Sequence, residues 1–255
     1  MTRPRNYETE AVIIKKVKLG EADRILTLYT PELGKIQGVA RGVRRPKSKL
    51  AGHLELLTYS QVSFARGRNL DVIIGSQTIE SFLPLKSDLT LTSCALYLAE
   101  LVEQFTVEHV ENQPLFTLLL ATMHHLAQGG SRELALRHFE LHLLDLSGYR
   151  PELMECAACH EALKPVANYF SPQSGGALCP ACRVNQPFTY PMSLNALKVL
   201  RWLQASDLGA VTKLKVDGAL ARELEMLLRA YLKCLLERDL KSTAWLDSLR
   251  EPARP

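Results

Sequence analysis

Residues 11–40 read AVIIKKVKLGEADRILTLYTPELGKIQGVA, and this stretch decides the fold of the first third of the chain. It contains three short runs rich in Val, Ile, Thr and Tyr, which are residue types that favour strands. The runs are separated by GEAD and PELG, and glycine, proline and acidic residues are typical of tight turns. The stretch therefore predicts three strands joined by tight turns, at 11–19, 25–30 and 35–40.

Two more strand-like runs complete this part of the chain, at 58–65 and 70–79. The turn RGRN separates them, and a longer connection, 41–57, precedes them. Five short strands within about 80 residues, joined mostly by tight turns, are typical of a small closed barrel such as an OB-fold. A five-stranded SH3-like barrel would give a similar pattern.

From residue 87 onward the apolar residues recur at a spacing of about 3.6, which predicts amphipathic helices. This pattern covers 87–147 and returns at 192–240. Ser193 and Asp217 stand where helix N-caps are expected. Amphipathic helices need partners, so we expect the two stretches to pack into one bundle with an insertion between them.

The insertion carries the most specific motif in the chain. Cys156-Ala-Ala-Cys159 is followed after nineteen residues by Cys179-Pro-Ala-Cys182, a spacing typical of structural zinc sites. A gap of two residues lets both thiolates of a pair reach one ion, and two pairs complete a closed tetrahedral shell. We expect Cys156, Cys159, Cys179 and Cys182 to bind one structural Zn²⁺ that has no position open for substrate.

These features predict an α+β multidomain protein, with an N-terminal five-stranded OB-fold β-barrel followed by an α-helical bundle that carries an inserted four-cysteine zinc module. The expected barrel domain, which would bind nucleic acid, spans 1–82. The helical domain is divided into a first part at 83–148 and a second part at 191–255, and the zinc-binding insertion occupies 149–190.

Positive charge is concentrated in the barrel region. Residues 1–80 carry 14 Lys and Arg against 8 Asp and Glu, although the whole chain has a net charge of only +4. Nine residues, 41–49, hold five cations and no acid, which indicates binding to a polyanion. The alternative is a solvated loop that only adds solubility. The residues expected to contact DNA are Lys15, Lys16, Lys35, Arg41, Arg44, Arg45, Lys47, Lys49, Arg66 and Arg68.

Aromatic residues are scarce in the same region, so base stacking is expected to contribute little and binding to be mostly electrostatic. The candidates for stacking before residue 80 are Tyr7, Tyr29, Tyr59 and Phe64.

Composition and missing motifs narrow the function class. With 47% hydrophobic and 23% charged residues, the chain of 255 residues has an ordinary globular composition. It has no apolar run long enough to span a bilayer and no secretory signal pattern, so we expect a cytoplasmic protein with reduced cysteines. P-loop, dinucleotide-binding and G-x-S-x-G motifs are missing, which favours a binding protein over an enzyme. Cys94 and Cys234, on predicted helices, are expected to be small buried residues and not nucleophiles.

Several segments, in the same order along the chain, resemble the bacterial RecO family of recombination mediators. The similar segments are GEADRIL, RGVRRPKSKLAG, RGRNLDV, the CAAC and CPAC pairs, and ERDLKS at the end of the last long helix. The resemblance implies an OB-fold, a helical domain and a zinc module. It also implies binding of single-stranded DNA, annealing of complementary strands, and work with RecR to load RecA onto strands coated with single-stranded DNA-binding protein.

The sequence and the resemblance together predict a non-enzymatic mediator of DNA repair whose partners are single- and double-stranded DNA, RecR, single-stranded DNA-binding protein and, indirectly, RecA. No membrane and no small-molecule substrate are expected, and the protein would associate with the nucleoid when bound to DNA. Two alternatives stay open. One is a protein-docking adaptor with a structural zinc, and the other is an OB-fold enzyme that binds or processes RNA.

Overall fold

The computed structural model describes residues 5–249, so 1–4 and 250–255, at the ends of the first and last expected domains, lie outside the described residues. The chain forms two compact units. Within the described residues, the first comprises 5–127 and 244–249, and the second is Gln128–Thr243.

The first unit is built on a closed barrel of five strands in the order β1-β2-β3-β5-β4, with β4 pairing back onto β1. All neighbours are antiparallel except β3 and β5, which are parallel. This closed barrel confirms the predicted OB-fold. The strands are β1 (Asn6–Leu19), β2 (Asp23–Thr30), β3 (Gly34–Ala40), β4 (Tyr59–Ala65) and β5 (Asp71–Glu80).

Alternate side chains of the strands fill the barrel, and in β3 every second residue is buried. Leu54, in the 3-10 turn Gly52–Leu54, and Val43 add to this core from the long connection between β3 and β4. The buried core residues are Ala11, Ile13, Leu26, Leu28, Ile36, Ala40, Val43, Leu54, Val62, Phe64 and Ile73.

Strand β1 begins five residues before the predicted run. Residues 6–10 read NYETE and lack the apolar pattern of a strand, but they pair with β4. The partner strand, rather than local propensity, therefore sets the start of β1.

Three helices complete the first unit, namely α1 (Leu83–Ser87), α2 (Leu89–Phe105) and α3 (Gln113–Ala127). Asp88 caps α2 by accepting a hydrogen bond from the N–H of Leu91 at 2.8 Å. The link between α2 and α3 lies against the turn between β2 and β3. Gly34 in that turn has φ +62°, and a Cβ at this position would lie 1.9 Å from the carbonyl oxygen of Val110.

The second unit combines helices with a small antiparallel sheet in the order β7-β6-β8. Ser193 accepts a hydrogen bond from the N–H of Ala196 at 3.1 Å, and Asp217 accepts one from the N–H of Leu220 at 2.8 Å, which confirms both predicted N-caps. The elements are α4 (Arg132–Leu146), β6 (Asn168–Ser171), β7 (Gly176–Leu178), β8 (Tyr190–Met192), α5 (Leu194–Ala205), α6 (Leu208–Val211) and α7 (Gly218–Leu236). The last helix, α8 (Lys241–Ser248), has its first three residues assigned to the second unit and the rest to the first.

The helices are divided differently from the single bundle expected at 87–147 and 192–240. Helices α1 to α3 cluster with the barrel, whereas α4 belongs with α5, α6 and α7. Apolar periodicity shows that a helix needs a partner but does not identify that partner. The domain boundaries at 82, 148 and 190 stay a prediction.

No helix within residues 5–249 is both long and apolar enough to cross a membrane.

The close approach at Gly34 gives a stability prediction with a matched control. Gly20 also has a positive φ, +56°, but a Cβ there would meet nothing within 4 Å. We expect Gly20→Ala to lower the free energy of unfolding by about 1 kcal/mol, the cost of a left-handed alanine. Gly34→Ala must also displace the backbone at Val110 and should cost roughly 3 kcal/mol or more. Urea denaturation measures both values, and equal losses would contradict the packing described here.

Candidate nucleic-acid interface and metal centre

The basic loop, defined as residues 41–49, is held by its backbone against the turn between β1 and β2. The N–H of Arg44 donates to the carbonyl oxygen of Ala22 at 2.9 Å, and the N–H of Gly42 donates to a carboxylate oxygen of Asp23 at 2.7 Å. The side chain of Val43 is buried in the barrel core. The loop is therefore anchored by backbone contacts and one apolar side chain, which leaves its charged side chains outside.

All five cations of the basic loop are exposed. Arg44 Nη1 donates to the carbonyl oxygen of Gly20 at 3.3 Å. Within the described part of the chain, no member of this set forms an ion pair with an acidic side chain. The loop thus presents a cluster of like charges that an external polyanion would neutralise. The five residues are Arg41, Arg44, Arg45, Lys47 and Lys49.

Arg66 and Arg68 are also exposed, in the loop between β4 and β5. The guanidinium of Arg66 lies over the ring of Tyr7, 4.8 Å from its centroid. Tyr7 in turn stacks on Phe64 with 5.0 Å between ring centroids, and its hydroxyl donates to Asp71 at 2.7 Å. Burial, followed by the hydrogen bond to Asp71, raises the pKa of Tyr7. The position of Arg66 is therefore fixed by an aromatic stack.

The three predicted lysines on the strands are already engaged. Lys15 forms an ion pair with Glu103, and Lys16 Nζ lies 2.6 Å from a carboxylate oxygen of Glu55. Lys35 Nζ donates to two main-chain carbonyl oxygens at the end of α2, at 2.6 and 2.5 Å, and burial lowers its pKa. These lysines thus differ from the free cations of the basic loop, and their contact with DNA stays a prediction.

Three of the four aromatic residues considered for stacking have covered rings, and the fourth, Tyr59, is partly covered. Tyr29 and Phe64 are fully buried. Tyr7 lies between Phe64 and Arg66. Tyr59 is half-buried, packs edge-on against Phe116, and its hydroxyl bonds to Glu10. This arrangement agrees with an interface in which charge outweighs stacking.

The structure brings the four predicted metal ligands together. The Sγ atoms of Cys156, Cys159, Cys179 and Cys182 all lie within 4.8 Å of one another. Each pair sits on a tight turn, because the carbonyl oxygen of Cys156 accepts from the N–H of His160 at 2.8 Å and that of Cys179 accepts from the N–H of Cys182 at 3.1 Å. Residues from two separate segments thus form one cluster of four thiols.

The thiol geometry fits a tetrahedral metal ion. Four sulfurs at about 2.3 Å from a central ion are about 3.8 Å apart. The Cys159 and Cys179 sulfurs are 4.0 Å apart, well beyond the length of a disulfide bond. Burial raises the pKa of the Cys156 thiol, but hydrogen bonds from the backbone N–H groups of Cys179, Cys159 and Ala158 outweigh it and bring the pKa to about 6. At Cys156 the backbone therefore favours the thiolate form that metals bind, whereas hydrogen bonding to the Cys179 and Cys159 side chains raises the pKa of Cys182.

Two groups of residues near the barrel surface escaped the sequence analysis. One is a row of outward-facing apolar residues on four strands, and the other is a pair of glutamates, Glu103 and Glu108, from α2 and the segment after it. Neither group has a local motif, and only the register of the strands and the path of the chain after α2 reveal them. The apolar row is Val17, Ile25, Val39 and Val72.

Comparison with known proteins gives matches along nearly the whole chain. Residues 1–82 match the family described as Recombination protein O N terminal, and residues 86–244 match Recombination protein O C terminal. The chain is 50% identical over 250 residues to the DNA repair protein RecO of Dehalococcoides mccartyi strain CBDB1, covering 98% of both chains. It is 47% identical over 252 residues to the DNA repair protein RecO of Roseiflexus sp. strain RS-1, covering 99% of this chain and 89% of the relative.

The bond between Asp23 and Gly42 gives a prediction about the loop itself. Asp23→Ala removes the acceptor that holds Gly42, so the basic loop should open more often and trypsin should cut after its Arg and Lys residues several times faster. Asp23→Asn keeps an acceptor oxygen and should resemble the wild type. Mass spectrometry of limited digests locates the cuts, and the same cleavage rate in Asp23→Ala and Asp23→Asn would show that this bond does not anchor the loop.

Proposed function

The chain belongs to the RecO family of DNA repair proteins, and from this premise we propose that it is a non-enzymatic recombination mediator. It binds single-stranded DNA, anneals complementary strands and, with RecR, helps to load RecA onto DNA coated with single-stranded DNA-binding protein. Such a protein acts in the cytoplasm, at the nucleoid.

The observation that carries this proposal is the set of exposed, unpaired cations in the basic loop. Cations without an acidic partner can exchange their counterions for phosphates, and the released counterions supply the binding free energy. The carbonyl oxygen of Ala22 and the carboxylate of Asp23 fix the loop, so little ordering is needed when DNA binds. Arg66 and Arg68 extend the positive surface at the loop between β4 and β5.

Annealing follows from the same charges. Two complementary strands repel each other through their phosphates, and a protein that neutralises part of this charge lowers the barrier to their encounter. This step needs no nucleotide hydrolysis, in keeping with a sequence that has no P-loop. Because the candidate rings Tyr7, Tyr29 and Phe64 of the barrel are covered, little stacking competes with pairing of the bases.

We propose that the four-cysteine cluster holds one Zn²⁺ with a structural role. Four thiolates are typical of structural zinc sites, and they fill the shell, so no position remains for a reacting molecule. When bound, the ion cross-links the two segments of chain that carry the cysteines and takes no part in catalysis. The cluster joins the segment before β6 to the segment after β7, and the N–H of Cys179 donates to Cys156 Sγ at 3.3 Å.

Charge reversal tests the role of the basic loop. We expect Arg44→Glu/Arg45→Glu/Lys47→Glu to abolish annealing of two complementary oligonucleotides, both bare and coated with single-stranded DNA-binding protein. For about five phosphate contacts, the wild-type slope of log K against log salt should be near −3.5, and the variant slope should fall to about −1.4. Fluorescence annealing and anisotropy measure these quantities.

The matched control is Lys198→Glu/Lys213→Glu/Lys215→Glu, which reverses three exposed lysines of the second unit and changes the net charge equally. It should keep most of the annealing rate. Equal losses in the two variants would show a general charge effect, and a wild-type protein that neither binds nor anneals DNA would overturn the proposed function.

Metal analysis tests the zinc site. We expect one Zn²⁺ per chain in the wild type and in Cys234→Ser, which changes a cysteine outside the cluster, but less than one in Cys182→Ser. Loss of the ion should destabilise the second unit by several kcal/mol, because binding and folding are coupled in such modules. Elemental analysis and thermal unfolding give the two values. Full zinc content in Cys182→Ser would rule out the four-thiolate shell.

A further inference from the structure

The outer face of β2 and β3, which continues onto β1, is the part of an OB-fold that commonly receives single strands. In this protein the Cα pairing places Val17 beside Ile25 and Ile25 beside Val39, and Val39 pairs with Val72 of β5. These residues point away from the barrel core. A second outward row, formed by Lys15, Thr27 and Gln37, runs next to the first.

The chain between α2 and α3 covers one end of this face. Strand β5 pairs with β3 only at Gly38 and Val39, which leaves the first half of β3 open along that edge. Glu108 forms a parallel bridge with Lys35 there, and the N–H of His109 donates to the carbonyl oxygen of Lys35 at 2.9 Å. The link thus acts as an extra strand segment along the open edge of β3.

This segment and α2 bring two carboxylates onto the outer face. Glu103 pairs with Lys15, and Glu108 accepts a hydrogen bond from Gln37 Nε2 at 2.5 Å. They line a shallow groove of about 180 Å³ together with Lys15, Lys35, Gln37, Val17, Ile25 and Thr27. The domain is positive overall, but in this groove the two acids balance the two lysines, so the groove carries no net positive charge.

We infer that Glu103 and Glu108 determine the path of the DNA strand, by excluding phosphates from the outer face of β1 to β3. The phosphates are confined to the basic loop and to the loop that carries Arg66 and Arg68. This inference rests on the proposed function, because it concerns the DNA site of that same barrel.

The two lysines of the face differ in how firmly they are held. The side chain of Lys15 is 47% exposed, so its ion pair with Glu103 is weak and open to competition. Lys35 donates to two carbonyl oxygens of the main chain, which a substitution at Glu103 leaves in place. Neutralising Glu103 therefore frees Lys15 for a phosphate, whereas Lys35 stays bound to the end of α2.

Isosteric neutralisation tests the inference. We expect Glu103→Gln/Glu108→Gln to bind an oligo-dT strand about three- to fivefold more tightly at low salt. The slope of log K against log salt should become more negative by about 0.7, the value for one added phosphate contact. Fluorescence anisotropy over a series of salt concentrations measures both, and circular dichroism confirms that the variants are folded.

The matched control is Glu8→Gln/Glu10→Gln. These two residues lie on the part of β1 that pairs with β4, where they accept hydrogen bonds from Ser63 and Tyr59 that glutamine can also accept. The substitution changes the net charge equally on the same barrel. A simple effect of net charge would raise the affinity of both variants to the same extent.

A second comparison isolates Lys15. Glu103→Gln should raise the affinity for oligo-dT when Lys15 is present. In a Lys15→Gln background, the same substitution should raise it by no more than Glu8→Gln/Glu10→Gln does. A gain that survives without Lys15, or one that equals the control, overturns the inference while leaving the proposed function intact. If the wild type does not bind DNA, the proposed function falls and this inference falls with it, even where a variant binds. If no variant binds, the proposed function and this inference both fall.

Discussion

The double pairing of β1 is the constraint on which the rest of the barrel depends. The first half of this strand pairs with β4 and the second half with β2, and the register shifts at a bulge between Ile13 and Lys15. One strand thereby joins the two ends of the sheet and removes its free edges there. A bulge changes which side chains face outward, so Lys15 and Val17 reach the outer face while Ile13 stays in the core. The end of β1 also positions the turn between β1 and β2, to which the basic loop is hydrogen-bonded.

Binding potential in this domain depends on which cations already have partners. The lysines on the strands form ion pairs with carboxylates or donate to carbonyl oxygens of the barrel and of α2. These contacts within the fold leave the lysines less able to bind phosphate. Within the described residues, the arginines and lysines of the basic loop have no carboxylate partner, although Arg44 also donates to the carbonyl oxygen of Gly20, because the loop is anchored mainly by its backbone and by Val43. Anchoring by neutral groups is what leaves the charge free. A loop held by its own arginines would be equally ordered and much less able to bind DNA.

Local signals in the sequence predicted a large part of this structure. Alternation and turn residues gave the five strands, Ser193 and Asp217 gave two caps, and cysteine spacing gave the thiol cluster, because each depends on residues close in the chain. The first half of β1 was missed because its polar residues become a strand only by pairing with β4, some 55 residues away. The partners of Lys15 and Lys35 lie 68 to 88 residues away, which no local pattern can reveal.

The second unit shows how a small module without much core of its own can be tied to a helix. Phe170 of β6 is fully buried and packs edge-on against Tyr231 of α7, with 5.7 Å between ring centroids. The hydroxyl of Tyr231 donates to the carbonyl oxygen of Tyr149 at 3.1 Å, so one side chain contacts both the sheet and the chain that leads into the module. The thiol cluster joins the segment before β6 to the segment after β7 in the same module. Because Phe170 and Tyr231 contribute apolar burial that does not depend on a metal, release of the ion should loosen the cysteine turns before it loosens β6 from α7.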